Sequence, residues 1–253
     1  MTTLELVTSA PAALERYETL LAEGALVRKA WHSSDQDGRH LACALGALGS
    51  SINSPADCPA TVMPRWLAQM VPYYFDNLPE GDHIEWGRQL YAELARLDGK
   101  VPFTVVYDWH ATVLAPLWIA RSEERERPEA KAAHEQWRDL HARALGGDRA
   151  PREEWREVAR KVYADADAYA DAYADAYADA YADAYAYAYA YADADADAYA
   201  DAYAYAYADA YAYAYAYAYA YADADADAGK RAERLKVHAF GLIDSLRRAQ
   251  PEA

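Results

Sequence analysis

Residues 163 to 228 alternate without exception, with Ala at every even position and Tyr or Asp at every odd one. No other feature restricts the chain so severely. Period two is ordinarily the mark of a half-buried strand. A strand of 66 residues, however, lies far outside the usual ~3–10, and no Gly or Pro interrupts the run to fold it back. Half of the run is Ala, the best helix former and a poor strand former. The expected state is therefore helix, with a silk-like stack or disorder as the alternatives.

Helical geometry gives the alternation a meaning. At about 100° per residue, each step of four advances by about 40°. Tyr169, Tyr173, Tyr177, Tyr181 and Tyr185 then sweep one half of the cylinder, and Asp171, Asp175, Asp179 and Asp183 fill the other. The nine form the candidate interaction surface. Beyond Tyr189 the segregation degrades, and from Tyr203 Tyr surrounds most of the cylinder. A continuous helix of this length would be a rod of roughly 100 Å. A bend at the Asp193, Asp195, Asp197 triplet would make a hairpin instead, because Asp competes for backbone hydrogen bonds. Two-residue monotony is also what expansion of a short coding repeat would leave.

The same segment decides the charge. It holds 19 of the 24 Tyr and 14 of the 41 acidic residues of a 253-residue chain with formal charge −16. Outside it, 27 acidic face 25 basic side chains, so the remainder is nearly neutral. Fourteen charges on such a rod are one per ~7 Å, against one per ~1.7 Å in duplex DNA, which argues against a strong DNA mimic. A basic partner could still be attracted. Asp residues spaced by four offer separate carboxylates rather than a caging loop, so no cofactor is expected there. No basic patch is present, so direct nucleic-acid binding is disfavoured. No run of about 18 apolar residues exists, so no membrane span is expected. The start Met1-Thr2-Thr3-Leu4 lacks a basic, apolar leader. Two Cys are too few for a disulfide framework, and a reduced cytoplasm is the expected compartment.

Around the alternating run the chain reads as mainly α. Residues 1–150 are expected to form a helical globular domain, 151–228 a helix entering the repeat, and 229–253 a closing amphipathic helix. Helices are expected over Ala12–Ala30, His40–Leu48, Met63–Tyr74, Trp86–Leu97 and Glu129–Leu145, the last stopped by Gly146-Gly147. Arg152–Tyr163 and Lys230–Arg248 complete the set, and Val101–Val106 is the single expected strand.

Candidate chemistry is sparse. His32, Asp35, Asp37 and His40 form H-x2-D-x-D-x2-H, all ligand types for a divalent metal, although the spacing matches no strong signature. The competing reading is a helix cap with two flanking His. His40 three residues before Cys43 suggests a Cys–His nucleophile, with core packing of Cys43 as the simpler reading. Asp108, Trp109, His110 and Trp118 could line a pocket or fill an aromatic core.

The run SDQDGRHLACALGALGSSINSPADCPATVMPRWLAQMVPYYFDNL (Ser34 to Leu78) resembles a family of uncharacterised bacterial and phage-associated proteins. In that family a DGR…INS…DCP…MP.WLA…FD core precedes an Ala-rich tail studded with Tyr and Asp. Similar tails occur in proteins regarded as immunity proteins of bacterial toxin systems. The resemblance implies no catalytic residue. Three functions follow in order: a non-enzymatic protein using the repeat for self-association or partner binding; an acidic inhibitor or immunity-type protein sequestering a basic target; and an enzyme or metal site around His32–Cys58.

Overall fold

A computed structural model describes residues 4–164 and 228–250. The chain is mainly α. In order come α1 (Ala10–Ala22), strands β1 (His32–Ser34) and β2 (His40–Ala42), 3-10 turns at Gly46–Leu48 and Pro55–Asp57, α2 (Arg65–Asn77) and α3 (Asp82–Arg96). Then follow α4 (Thr104–Trp109), a π turn (His110–Leu114), α5 (Ala115–Glu124), α6 (Pro128–Leu145), α7 (Arg152–Ala164) and α8 (Ala228–Arg248). The described residues fall into two compact units, one drawn from Met1–Pro102 and Ala232–Ala253, the other from Phe103–Arg231. The chain thus passes between units at Pro102–Phe103 rather than at 148–151, and most of the closing helix belongs to the first unit. Tyr169, Tyr173, Tyr177, Tyr181, Tyr185, Asp171, Asp175, Asp179 and Asp183 lie outside the described residues.

In the first unit, α1 starts behind extended Ser9 with Pro11 in its first turn, where a missing N–H costs nothing. It buries Ala10, Ala13, Tyr17 and Leu20, a helical stripe. Gly24 ends it at φ +62°, giving Ala25 N→Leu20 O (2.8 Å) and Gly24 N→Leu21 O (3.0 Å), a Schellman closure. The helix therefore stops eight residues short of the expected Ala30. Asp98 with Gly99 closes α3 by the same pattern, as Gly147 with Asp148 closes α6.

The expected helix over His40–Leu48 is corrected to a strand followed by a 3-10 turn. Its backbone groups have partners elsewhere: Ala42 N donates to Ala25 O (3.0 Å), Val27 N to Ala42 O (2.9 Å) and Cys43 N to Trp31 O (3.1 Å). Gly46 packs so closely that a Cβ there would stand 2.1 Å from Trp31 O. Tertiary pairing thus overrides the helical propensity of an Ala- and Leu-rich run.

The core of this unit is aromatic with polar tips satisfied. Tyr17 Oη donates to Ile84 O (3.0 Å), Tyr91 Oη to Ala44 O (2.6 Å), and Trp86 Nε1 to Ala239 O (2.9 Å). The last bond fixes α8, whose Leu235, Ala239, Leu242, Ile243 and Leu246 are all buried. Arg96 caps the end of α8 through Leu246 O (2.6 Å) and Ala249 O (3.1 Å).

In the second unit, the expected strand at Val101–Val106 is corrected: Thr104 begins α4, and Val105 and Val106 are buried on it. Helix burial on the hydrophobic core outweighs the β preference of branched side chains. The π turn has a local cause. Pro116, early in α5, lacks an N–H and its ring crowds the carbonyl four residues back, so the ladder widens and Ala115 N donates to His110 O. Thr112 Oγ1 satisfies Asp108 O (2.7 Å).

Candidate functional site

Two histidine pairs emerge, one in each unit. The first sits on the β1–β2 hairpin. Its antiparallel register pairs His32 with Ala42, Ser33 with Leu41 and Ser34 with His40, which sets His32 and His40 diagonally on one face. The turn between them is built by Asp35. Its Oδ1 accepts Asp37 N (3.1 Å) and Arg39 N (2.8 Å), and its Oδ2 accepts Arg39 Nε (2.9 Å). The Arg39 amide, followed by the Arg39 side chain, holds the Asp35 carboxyl below its usual range despite the opposing effect of burial.

His32 Nδ1 lies 3.1 Å from His40 Nε2, and His32 Nε2 lies 2.8 Å from Ile52 O. A carbonyl only accepts, so His32 carries its proton on Nε2. Its Nδ1 then accepts from His40 Nε2–H. Both rings are half-buried. Burial, and then the neighbouring His32, lowers the pKa of His40.

The structure therefore unites two of the four candidate ligands, His32 and His40. Asp35 is turned into its own loop, and Asp37 is exposed at its tip. Among the described residues, no group of three or more His, Cys, Asp or Glu side chains is arranged to hold a metal. The imagined Cys–His pair is not assembled, since His40 Nε2 faces His32. Cys43 is buried, accepts Gly46 N at its Sγ (3.3 Å), and has its thiol pushed up by burial. Burial pushes the Cys58 thiol up to about 12. Both thiols resist forming the reactive thiolate at neutral pH.

The second pair belongs to the aromatic core at the π turn. His110 and His141 stack with centroids 4.2 Å apart and planes 13° from parallel. Trp137 Nε1 donates to His110 Nδ1 (3.1 Å). Trp155 meets His141 edge-on at 5.0 Å and Trp137 at 5.7 Å. Exposure is 1% at His110 and 0% at His141, and Trp109 is equally buried. Burial, then the adjacent His110, holds the pKa of His141 well below its ordinary value. Of the sequence-named set, His110 and Trp109 are core residues, while Trp118 lies half-buried against His134 at 5.8 Å.

His134 and His141 escaped the sequence reading. Their signal was present, because His134, Trp137 and His141 fall at i, i+3 and i+7 on α6 and share one face. No helix among the described residues is long and apolar enough to cross a membrane. No known protein family, curated protein or solved structure matches the chain.

Proposed function

We propose that this is a non-enzymatic protein in which helical units carry an Ala/Tyr/Asp segment that mediates self-association. The reading rests on one observation: 19 of 24 Tyr and 14 acidic residues are concentrated in residues 163–228, a density of aromatic surface that a solvated monomer does not need. The chemistry of the units is in keeping with it. Asp35 builds a turn, Cys43 and Cys58 hold their protons, and His110 and His141 are enclosed in the core.

The test is the solution mass of the full chain with Tyr169, Tyr173, Tyr177, Tyr181 and Tyr185 replaced together by Ala. Light scattering should give the parent a mass above the 28.2 kDa of one chain, and the variant a smaller one. Ala is the better helix former, so lost helix cannot explain a drop. A parent that stays at 28.2 kDa at every concentration overturns self-association.

The charge concentration favours a second reading, sequestration of a basic protein in the manner of an immunity protein. A monomeric parent that binds a basic polypeptide, and releases it as salt screens the charges, would establish this reading in place of the first.

A further inference from the structure

We propose that His32 and His40 together bind a divalent first-row transition metal, with Cu(II) preferred, through His32 Nδ1 and His40 Nε2. The inference is independent of self-association. Two imidazole nitrogens each ~2.0–2.1 Å from a common ion, at angles from square to tetrahedral, stand about 2.8–3.4 Å apart. The observed separation is 3.1 Å.

The surroundings that support the hydrogen bond also suit a ligand pair. The Ile52 carbonyl at 2.8 Å fixes His32 as the Nε2–H tautomer and leaves the Nδ1 lone pair aimed at the gap. A backbone carbonyl on the far ring nitrogen is the usual support of a metal-bound His. Gly46 leaves room for the ring beside it, since a Cβ there would lie 3.1 Å from His32 Cε1, tighter than ordinary contact. The hairpin register holds His40 across from it. Metal entry requires only that the His40 proton move from Nε2 to Nδ1, so the neutral pair binds without net loss of a proton. Both rings are half-exposed, so the ion has access.

The site uses neither Asp35 nor Asp37. With two protein nitrogens among the described residues, the remaining coordination positions fall to water or to a group from another molecule. Imidazole suits Cu, Ni and Zn, whereas Ca²⁺ and Mg²⁺ demand oxygen donors. Affinity should follow Cu(II) above Ni(II) and Zn(II).

The experiment is calorimetric titration of the untagged full chain with CuCl2, NiCl2 and ZnCl2, with MgCl2 in excess to occupy the Asp-rich segment. One Cu(II) per chain is expected. His32→Ala and His40→Ala should each weaken binding at least about tenfold. Asp35→Asn and Asp37→Asn should leave it within about twofold. Electron paramagnetic resonance of the Cu(II)-loaded parent should show coupling to two imidazole nitrogens, a readout that needs no variant. Parent-like binding by both His→Ala variants overturns the proposal, as does a parent whose Cu(II) signal carries no imidazole coupling.

Discussion

The two histidine pairs use the same side chain to opposite ends. On the hairpin, the rings of His32 and His40 meet edge to edge, 47° apart, with their nitrogens facing one another. In the helical unit, His110 and His141 lie face to face, and Trp137 takes up the His110 nitrogen. Backbone geometry makes the difference. A diagonal cross-strand pair projects two rings side by side over a half-solvated face. The π turn instead carries His110 onto the face of α6 that bears His141, inside a wall of Trp. Burial then sets the chemistry, because removing an imidazolium from water is costly. The hairpin pair retains nitrogens that something else can reach, and the stacked pair behaves as packing.

Removing a wall of the stacked pair should have the largest effect. Trp155 is fully buried and touches both Trp137 and His141 edge-on. Trp155→Ala should cost about 3–5 kcal/mol, the usual range for deleting a buried large aromatic. Urea unfolding monitored by circular dichroism measures it. A loss below ~1 kcal/mol would mean that the stacked pair is not a core, and the contrast with the hairpin would collapse.

Acid should separate the pairs next. His141 is held well below the ordinary 6.5 by burial, and His238 in the first unit is pushed down to about 3 by burial and then Arg234. Unfolded, both take up protons near 6.5; folded, both stay neutral. The contribution of these histidines to stability should therefore be flat above pH 6.5 and fall below it by about 1.4 kcal/mol per pH unit for each. For His238 the loss continues to about pH 3. His141→Phe should remove one of these slopes, seen as a smaller loss of unfolding free energy from pH 7 to pH 5. An unchanged slope would place the titrating group elsewhere.

How much of this was legible varies with what enforces each element. The helices α2, α3, α6, α7 and α8 were readable from an apolar stripe, joined at α6 by a stop signal, Gly146-Gly147 after Leu145. The run His40–Leu48 misled because its composition is helical while its backbone partners, Ala25, Val27 and Trp31, lie far back along the chain. Val105 and Val106 misled for the converse reason, branched residues whose burial on α4 outweighs their strand preference. Of the candidate site, the four-residue motif contains both histidines that the hairpin brings together. No spacing rule, however, shows that a hairpin would join His32 to His40 while folding Asp35 into its own turn. Only the register does that.

The smallest expected effect is the most informative about the hairpin. His40→Ala removes one neutral hydrogen bond, at 3.1 Å, from a half-exposed ring and leaves His32 still bonded to Ile52 O. A neutral hydrogen bond contributes about 0.5–1.5 kcal/mol net, and water can take up the freed His32 Nδ1, so the loss should be about 1 kcal/mol or less. His32→Ala should cost more, because it also leaves the Ile52 carbonyl in need of a new donor while Ile52 itself stays buried. Unfolding midpoints of the two variants, measured side by side, give the order. If His40→Ala were as damaging as Trp155→Ala, the hairpin pair would be as structural as the stacked one. If instead His40→Ala is nearly silent while His32→Ala is not, then His32 anchors the hairpin and the His40 ring is the member left available to a ligand.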